Sequence, residues 1–412
     1  MNDVFKILKD NWPLFFGLSM IMIGNGLQGT LLGVRASIEG FSYIWTGVIM
    51  SSYFGGYFFG CMIVPGLVKN VGHIRVFTAL ASLASASVLF NGVFINPVTW
   101  TIVRLISGLA YAGMFIVVES WLNDISNNKV RGKLMGAYII SGFGSMFFGQ
   151  FLMNVAPPEE VTLFILTSVL VSIALVPIAL SKRPAPEIQT PEPLSLLELY
   201  NISPTAVVGV FIAGVVGAAI MTIGPVYALD SGMSISQISL FIAIYILGGV
   251  LGQIPIGQLS DKIGRRPTIL VVCVATIFMS VLCALFSRNY YVLLALFALL
   301  GFFAASLYPV CAAYTNDHLK KEQFIAASSR VIIVSGMGSL TGPLLASVSM
   351  MVAGPDAFFW FITASFVIYT AIVFGRTLIA PALPIKQQGE YMAMPSRITP
   401  MTPTLVNEDL QE

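Results

Sequence analysis

Apolar residues run along this chain in blocks of roughly 20, the length at which a helix crosses the hydrocarbon of a bilayer, and polar residues gather between the blocks. Lipid offers the backbone no hydrogen-bond partners, so each block has to satisfy its own amides as an α-helix. Six spans are predicted at 13–34, 44–68, 74–95, 98–122, 133–155 and 161–181, and six more at 205–228, 235–259, 268–287, 290–315, 324–350 and 357–380. Between the two sets lies KRPAPEIQTPEPLSLLELYNISP, where Pro184, Pro186, Pro191 and Pro193 exclude a continuous helix. It reads as a linker in which Leu194, Leu197 and Tyr200 give a short surface helix one apolar face.

The expected architecture is therefore an all-α membrane protein of twelve transmembrane helices in two six-helix bundles. Residues 1–181 form the N-terminal bundle, 182–204 the linker and 205–380 the C-terminal bundle. A tail, 381–412, has the prolines and acidic end of a disordered segment.

Composition narrows the classes of function. With 57 % hydrophobic and 10 % charged residues, the chain has too little polar surface to fold in water. A formal charge of +2, from 21 basic and 19 acidic residues, offers nucleic acid no basic face. Cys61, Cys273, Cys283 and Cys311 sit inside apolar blocks without the pairing of a metal or redox motif and read as core residues. The two histidines, His73 and His318, fall in loops, so neither a catalytic triad nor a histidine-built metal site is expected. The first block follows Lys6 and Lys9, is longer than a signal-peptide core and lacks a small-x-small cleavage site, which reads as an uncleaved span.

Charge sets the orientation. With both termini in the cytoplasm, all of the 21 Lys and Arg fall on the inner side except Arg35 and Arg288 outside and Arg104 and Arg330 within spans.

The halves repeat. YFGGYFFGCMIVPGLVKNVGHIRV from Tyr53 aligns with YILGGVLGQIPIGQLSDKIGRRPT from Tyr245, pairing Gly56 with Gly248, Gly60 with Gly252 and Gly72 with Gly264. In the same order, WLND (Trp121 to Asp124) meets YTND (Tyr314 to Asp317), and SGFGS (Ser141 to Ser145) meets SGMGS (Ser335 to Ser339). Matches of this kind at nearly one offset indicate two related bundles.

The run Gly257-x3-Asp261-Lys262-x-Gly264-Arg265-Arg266, at the turn between the eighth and ninth spans, resembles the signature loop of the major facilitator superfamily. Arg104-x3-Gly108 in the fourth span is similar to that family's second motif, and VVESWLN, RGKLMGAY and LYPV look closest to its YcaD-type branch. The resemblance covers most of the chain. It implies that the first, fourth, seventh and tenth helices line a central cavity and that the loop acts as an inner-gate latch. Asp261 would then accept hydrogen bonds at the N-terminus of the fifth span, near Arg131. Gly257 would allow close packing and Gly264 a tight turn, while Lys262, Arg265 and Arg266 would hold the loop in the cytoplasm or serve only as a topology anchor. The first-half copy departs from the pattern, with Lys69 where Asp261 stands and His73-Ile74-Arg75 in place of Arg265-Arg266-Pro267. The gate should be asymmetric.

A charge near the bilayer centre costs at least about 2.5–3.5 kcal/mol, which singles out the ionisable residues within spans. Arg104 suits an anion-binding group, an element of proton coupling, or a structural arginine on loop carbonyls. Glu119 is the carboxylate best placed to hold and release a proton, its bland alternative being an interfacial glutamate that reaches cytoplasmic water. Both sit on the fourth span about 22 Å apart along its axis. Arg330 lies at a similar depth in the second half, as a conceivable gate partner of Glu119. Arg35 and Glu39 are predicted as an exposed pair four residues apart. Asn25 and Gln28 in the first span are candidate substrate contacts; Tyr308, beside a possible bend at Pro309, is either a pathway or a packing residue.

These residues point to a secondary transporter that moves a small organic solute by alternating access, coupled to protons and requiring no cofactor or metal. The resemblance implies a monomer, multi-pass in a bacterial inner (plasma) membrane. Export of lipophilic compounds or lysolipid flipping on the same fold would also suit the apolar remainder. A sensor or assembly protein that moves nothing is the reading to favour if Arg104 and Glu119 are buried against neighbouring helices. An enzyme is least supported, since no nucleophile and base pair occurs at membrane depth.

Overall fold

The structure, a computed structural model, describes residues 11–125, 131–180, 195–319, 324–379, 383–389, 391 and 399. Twelve of its helical segments are long and apolar enough to cross a membrane. In the first half these are α1 Trp12–Ile38, α2 Tyr43–Val71, α3 His73–Val93, α4 Pro97–Ile125, α5 Arg131–Phe151 and α6 Thr162–Ala179. A short helix α7, Leu196–Ile202, follows. The second half contains α8 Pro204–Asp230, α9 Ile235–Ile263, α10 Arg265–Leu285, α11 Tyr290–Ala304, α12 Leu307–Asn316, α13 Phe324–Ala353 and α14 Ala357–Ile379.

Differences from the expected spans have local causes. The tenth span is split into α11 and α12 by a turn at Ala305 and Ser306. Pro309 has no N–H to give the Ala305 carbonyl, so the helical ladder lapses there. The α7 helix starts at a capping box in which Ser195 Oγ accepts from the Glu198 N–H and the Glu198 carboxylate accepts from the Ser195 N–H. Those bonds hold the exposed Glu198 carboxyl below its usual pKa. Leu199 is buried while Leu197 and Tyr200 are exposed, giving α7 the apolar face its sequence calls for.

By their packing, the described residues divide into two compact units, one within 1–41, 52–191 and 395–412 and the other within 42–51 and 192–394. Each unit is assembled around the glycines that the repeat pairs. In the first, a Cβ on Gly56 would meet the Leu105 carbonyl oxygen at 1.8 Å, and one on Gly108 the Tyr53 oxygen at 1.9 Å. In the second, a Cβ on Gly248 would meet the Ala298 oxygen at 2.0 Å, and one on Gly301 the Tyr245 oxygen at 2.4 Å. Thus α2 lies backbone to backbone on α4, and α9 does so on α11, the close approach that small residues permit. Both units also turn on one residue. Gly72 joins α2 to α3 at φ 96°, and Gly264 joins α9 to α10 at φ 89° and ψ 162°, a region essentially reserved for glycine.

Candidate functional site

In the first unit, the close packing of α2 on α4 brings Arg104 against Tyr53. The guanidinium, in a residue 2 % exposed, lies 4.3 Å from the centre of the Tyr53 ring, a cation–π contact that partly offsets its desolvation. The Tyr53 hydroxyl donates to Asn25 Oδ1 on α1 at 3.4 Å, and Tyr111 adds a ring 6.1 Å away. One helical turn beyond Asn25, Gln28 is fully buried and neither its Nε2 nor its Oε1 is hydrogen-bonded; Asn25 Nδ2 is likewise without a partner. Leaving a buried polar group unsatisfied costs about 1–3 kcal/mol. The expected contacts Asn25 and Arg104 are therefore brought together at Tyr53, which the sequence reading had used only as a repeat marker, with Gln28 one turn along α1 from Asn25.

Farther along α4, Glu119 is fully buried. It does not reach bulk water as an interfacial glutamate would. Tyr138 of α5 donates its hydroxyl to Oε1 at 2.7 Å, and Thr399 donates to Oε2 at 2.5 Å. Beside it, Ser120 Oγ is 2.9 Å from His73 Nε2, and the His73 ring stacks on Trp121 at 6.0 Å. Glu119 thus has hydroxyl donors on both oxygens.

The turn of the second unit holds an ionic cluster built on a buried arginine. Arg265 is 1 % exposed; its Nη1 donates to Asp261 Oδ1 at 2.7 Å and to Ser260 Oγ at 3.0 Å, and its Nε to Asp317 Oδ2 at 3.0 Å. Burial pushes the Asp317 carboxyl above its ordinary pKa, against the pull of the Arg265 guanidinium and the Gly389 N–H. Arg266, also buried, donates from Nε and Nη2 to the Tyr314 hydroxyl. Of the three cations expected to hold the loop in the cytoplasm, Arg265 and Arg266 are buried in the fold and Lys262 is exposed. Asp261 accepts from Arg265 Nη1 at 2.7 Å and from the Tyr391 N–H at 3.1 Å, both within its own unit. The Arg131 side chain lies outside the described residues. Asp317 was missed as a cluster member, although the WLND and YTND match had placed it at a repeated position.

Arg35 is another correction. It is buried, pairs with Glu39 at 2.6 Å and donates to the Pro158 carbonyl at 2.9 Å, so its charge is spent on closing a helix end. Gln150 fastens α5 to α1: it accepts from Thr30 at 2.5 Å and donates to the Gly26 carbonyl at 3.0 Å. Tyr308 and Arg330 are half-buried, on α12 and α13. Among the described residues of the tail, 385–387 form a helical turn packed at the Gly264 turn.

Comparison with known proteins agrees with this architecture. Residues 206–405 match the Major Facilitator Superfamily. The MFS-type transporters YcaD of Escherichia fergusonii and Escherichia coli are 25 % identical over 358 residues, 86 % of this chain and 93 % of theirs. The chain is thus similar to the major facilitator superfamily over 206–405 and to its YcaD-type transporters over most of its length. It also shares its fold with the crystal structure of nucleoside transporter NupG (TM-score 0.72, 14 % identity, 90 % of this chain and 98 % of that one). A bacterial homologue of the human lysosomal transporter Spinster, solved inward-facing and unoccupied, gives a TM-score of 0.71 at 13 % identity, over 92 % and 97 % of the two chains. These likenesses support a multi-pass membrane transporter.

Proposed function

We propose that the chain is a secondary transporter that moves a small organic anion or zwitterion by alternating access in a bacterial inner membrane, with both termini cytoplasmic. One observation carries the reading: Gln28, fully buried, offers a donor and an acceptor to no protein group, one helical turn from the Asn25 that Tyr53 links to the buried Arg104 guanidinium. Polar groups kept at such cost at a site with a ligand's complement suit recognition more than packing. Arg104 supplies charge recognition, the Asn25 and Gln28 amides orient the solute, and Tyr53 and Tyr111 provide an aromatic wall. Glu119, with its two hydroxyl donors, is the proton-carrying group, and the solute gradient or the proton gradient supplies the energy.

The test is uptake of a panel of organic anions and zwitterions into proteoliposomes with and without an imposed pH gradient. Arg104→Gln is expected to lower kcat/KM at least about tenfold, the loss of one charge-assisted contact, and Glu119→Gln to remove the dependence on the pH gradient. Unchanged flux and pH dependence in both variants would falsify the reading. A second reading is favoured by the burial of Arg104 and Glu119: a membrane sensor or assembly protein that moves nothing. It predicts no flux for any solute in the panel.

A further inference from the structure

We propose that the surface formed by Gly257, Asp261, Arg265 and Asp317 is a docking site for the chain's own C-terminal segment 385–391, which holds the Gly264 turn immobile until it leaves. The contacts are those of a bound peptide. The Gly389 N–H donates to Asp317 Oδ1 at 2.9 Å, and the Tyr391 N–H to Asp261 Oδ1 at 3.1 Å. In the opposite sense, the Gly389 carbonyl accepts from Arg265 Nη2. Gln388 Oε1 accepts from the Arg265 N–H at 3.1 Å, satisfying a backbone donor left open at the start of α10, while its Nε2 donates to the Leu383 carbonyl at 2.7 Å. Tyr391 provides the anchor: a Cβ on Gly257 would stand 2.2 Å from its ring. Glycine at 257 therefore makes room for an aromatic side chain of the tail, in addition to any helix packing.

The consequence lies in what the segment occupies. Asp261 and Arg265 are two of the four charged residues of the family-like loop, and both are engaged by tail backbone. A turn tied at Asp261, Arg265 and Asp317 by a bound strand cannot exchange partners. Taken with the transport reading, on which this consequence rests, the docked segment is a brake on the cycle and its release is the permissive step.

Hydrogen exchange on the full-length protein in detergent decides the docking without any knowledge of the solute. In the parent, amides of 388–391 and of 258–264 are expected to exchange slowly. Tyr391→Ala, a change in the tail that leaves every spanning helix intact, is expected to speed both by at least about tenfold. A synthetic peptide of sequence PIKQQGEYM, in excess, should return the 258–264 amides of that variant to the parent rate. Rapid exchange of 388–391 in the parent, or 258–264 amides indifferent to Tyr391→Ala, overturns the proposal. In the flux assay Tyr391→Ala should raise the initial rate several-fold. Loss of protection with an unaltered rate overturns the brake, whereas absence of flux in parent and variant alike counts against transport and leaves the exchange result standing.

Discussion

Two turns of one backbone design carry different chemistry. At Gly72 and at Gly264 a single glycine at φ 96° and 89° reverses the chain between consecutive spans. Around the second, the buried Arg265 ties the exposed Asp261 to Ser260 and Asp317. Around the first, Lys69 is exposed, and the residue after the glycine, His73, makes a neutral contact to Ser120 and stacks on Trp121. The difference teaches that repetition constrained packing and left charge free to diverge. Where helix backbones touch, both halves need glycine; where only side chains fill space, one half built an ionic lock and the other placed an acid, Glu119, under hydroxyl donors.

The comparison breaks most visibly at Arg265. Arg265→Leu leaves the Asp317 carboxylate, 4 % exposed, without its counter-ion, a loss of about 3–5 kcal/mol. His73→Leu at the equivalent place removes one neutral hydrogen bond, worth about 1 kcal/mol. Thermal melting in detergent should separate the two variants clearly, and equal shifts would erase the contrast between the turns. Next come the substitutions expected to match. Gly56→Ala and Gly248→Ala each force a methyl into a neighbouring carbonyl, at about 3 kcal/mol apiece because backbone cannot step aside as a side chain can. Unequal losses would show that the halves do not share one packing rule. Smaller again, Gly72→Ala and Gly264→Ala strain the turn by about 2 kcal/mol each. A negligible shift at either would mean that its turn accepts a different backbone.

Much of the fold was legible from the sequence because membrane spanning imposes it: block length predicts each helix, and paired glycines predict which helices touch. The break before Pro309 followed from a missing N–H. Sites were less legible. Asn25 and Arg104 were visible as polar residues in apolar blocks, but their meeting at Tyr53 depends on the approach of α1 and α4 to α2, which spacing along one helix cannot express. Counting basic residues by side grouped Arg265 and Arg266 with the turn and missed their burial at the start of α10, because the count has no term for an acid such as Asp317 arriving from another element. The contacts of Gln388, Gly389 and Tyr391 were likewise hidden, because Gly389 and the Tyr391 N–H act through backbone and leave little trace in side-chain pattern.

The central claim is that the buried Gln28 and Arg104 face a path that opens to water. A cysteine at Gln28, in a Cys61→Ser background, exposed to a membrane-impermeant maleimide in sealed vesicles reads that opening directly. The account predicts labelling from the aqueous phase at a rate that changes several-fold when a transported solute is added. A cysteine that stays unlabelled in every condition except denaturant would contradict it.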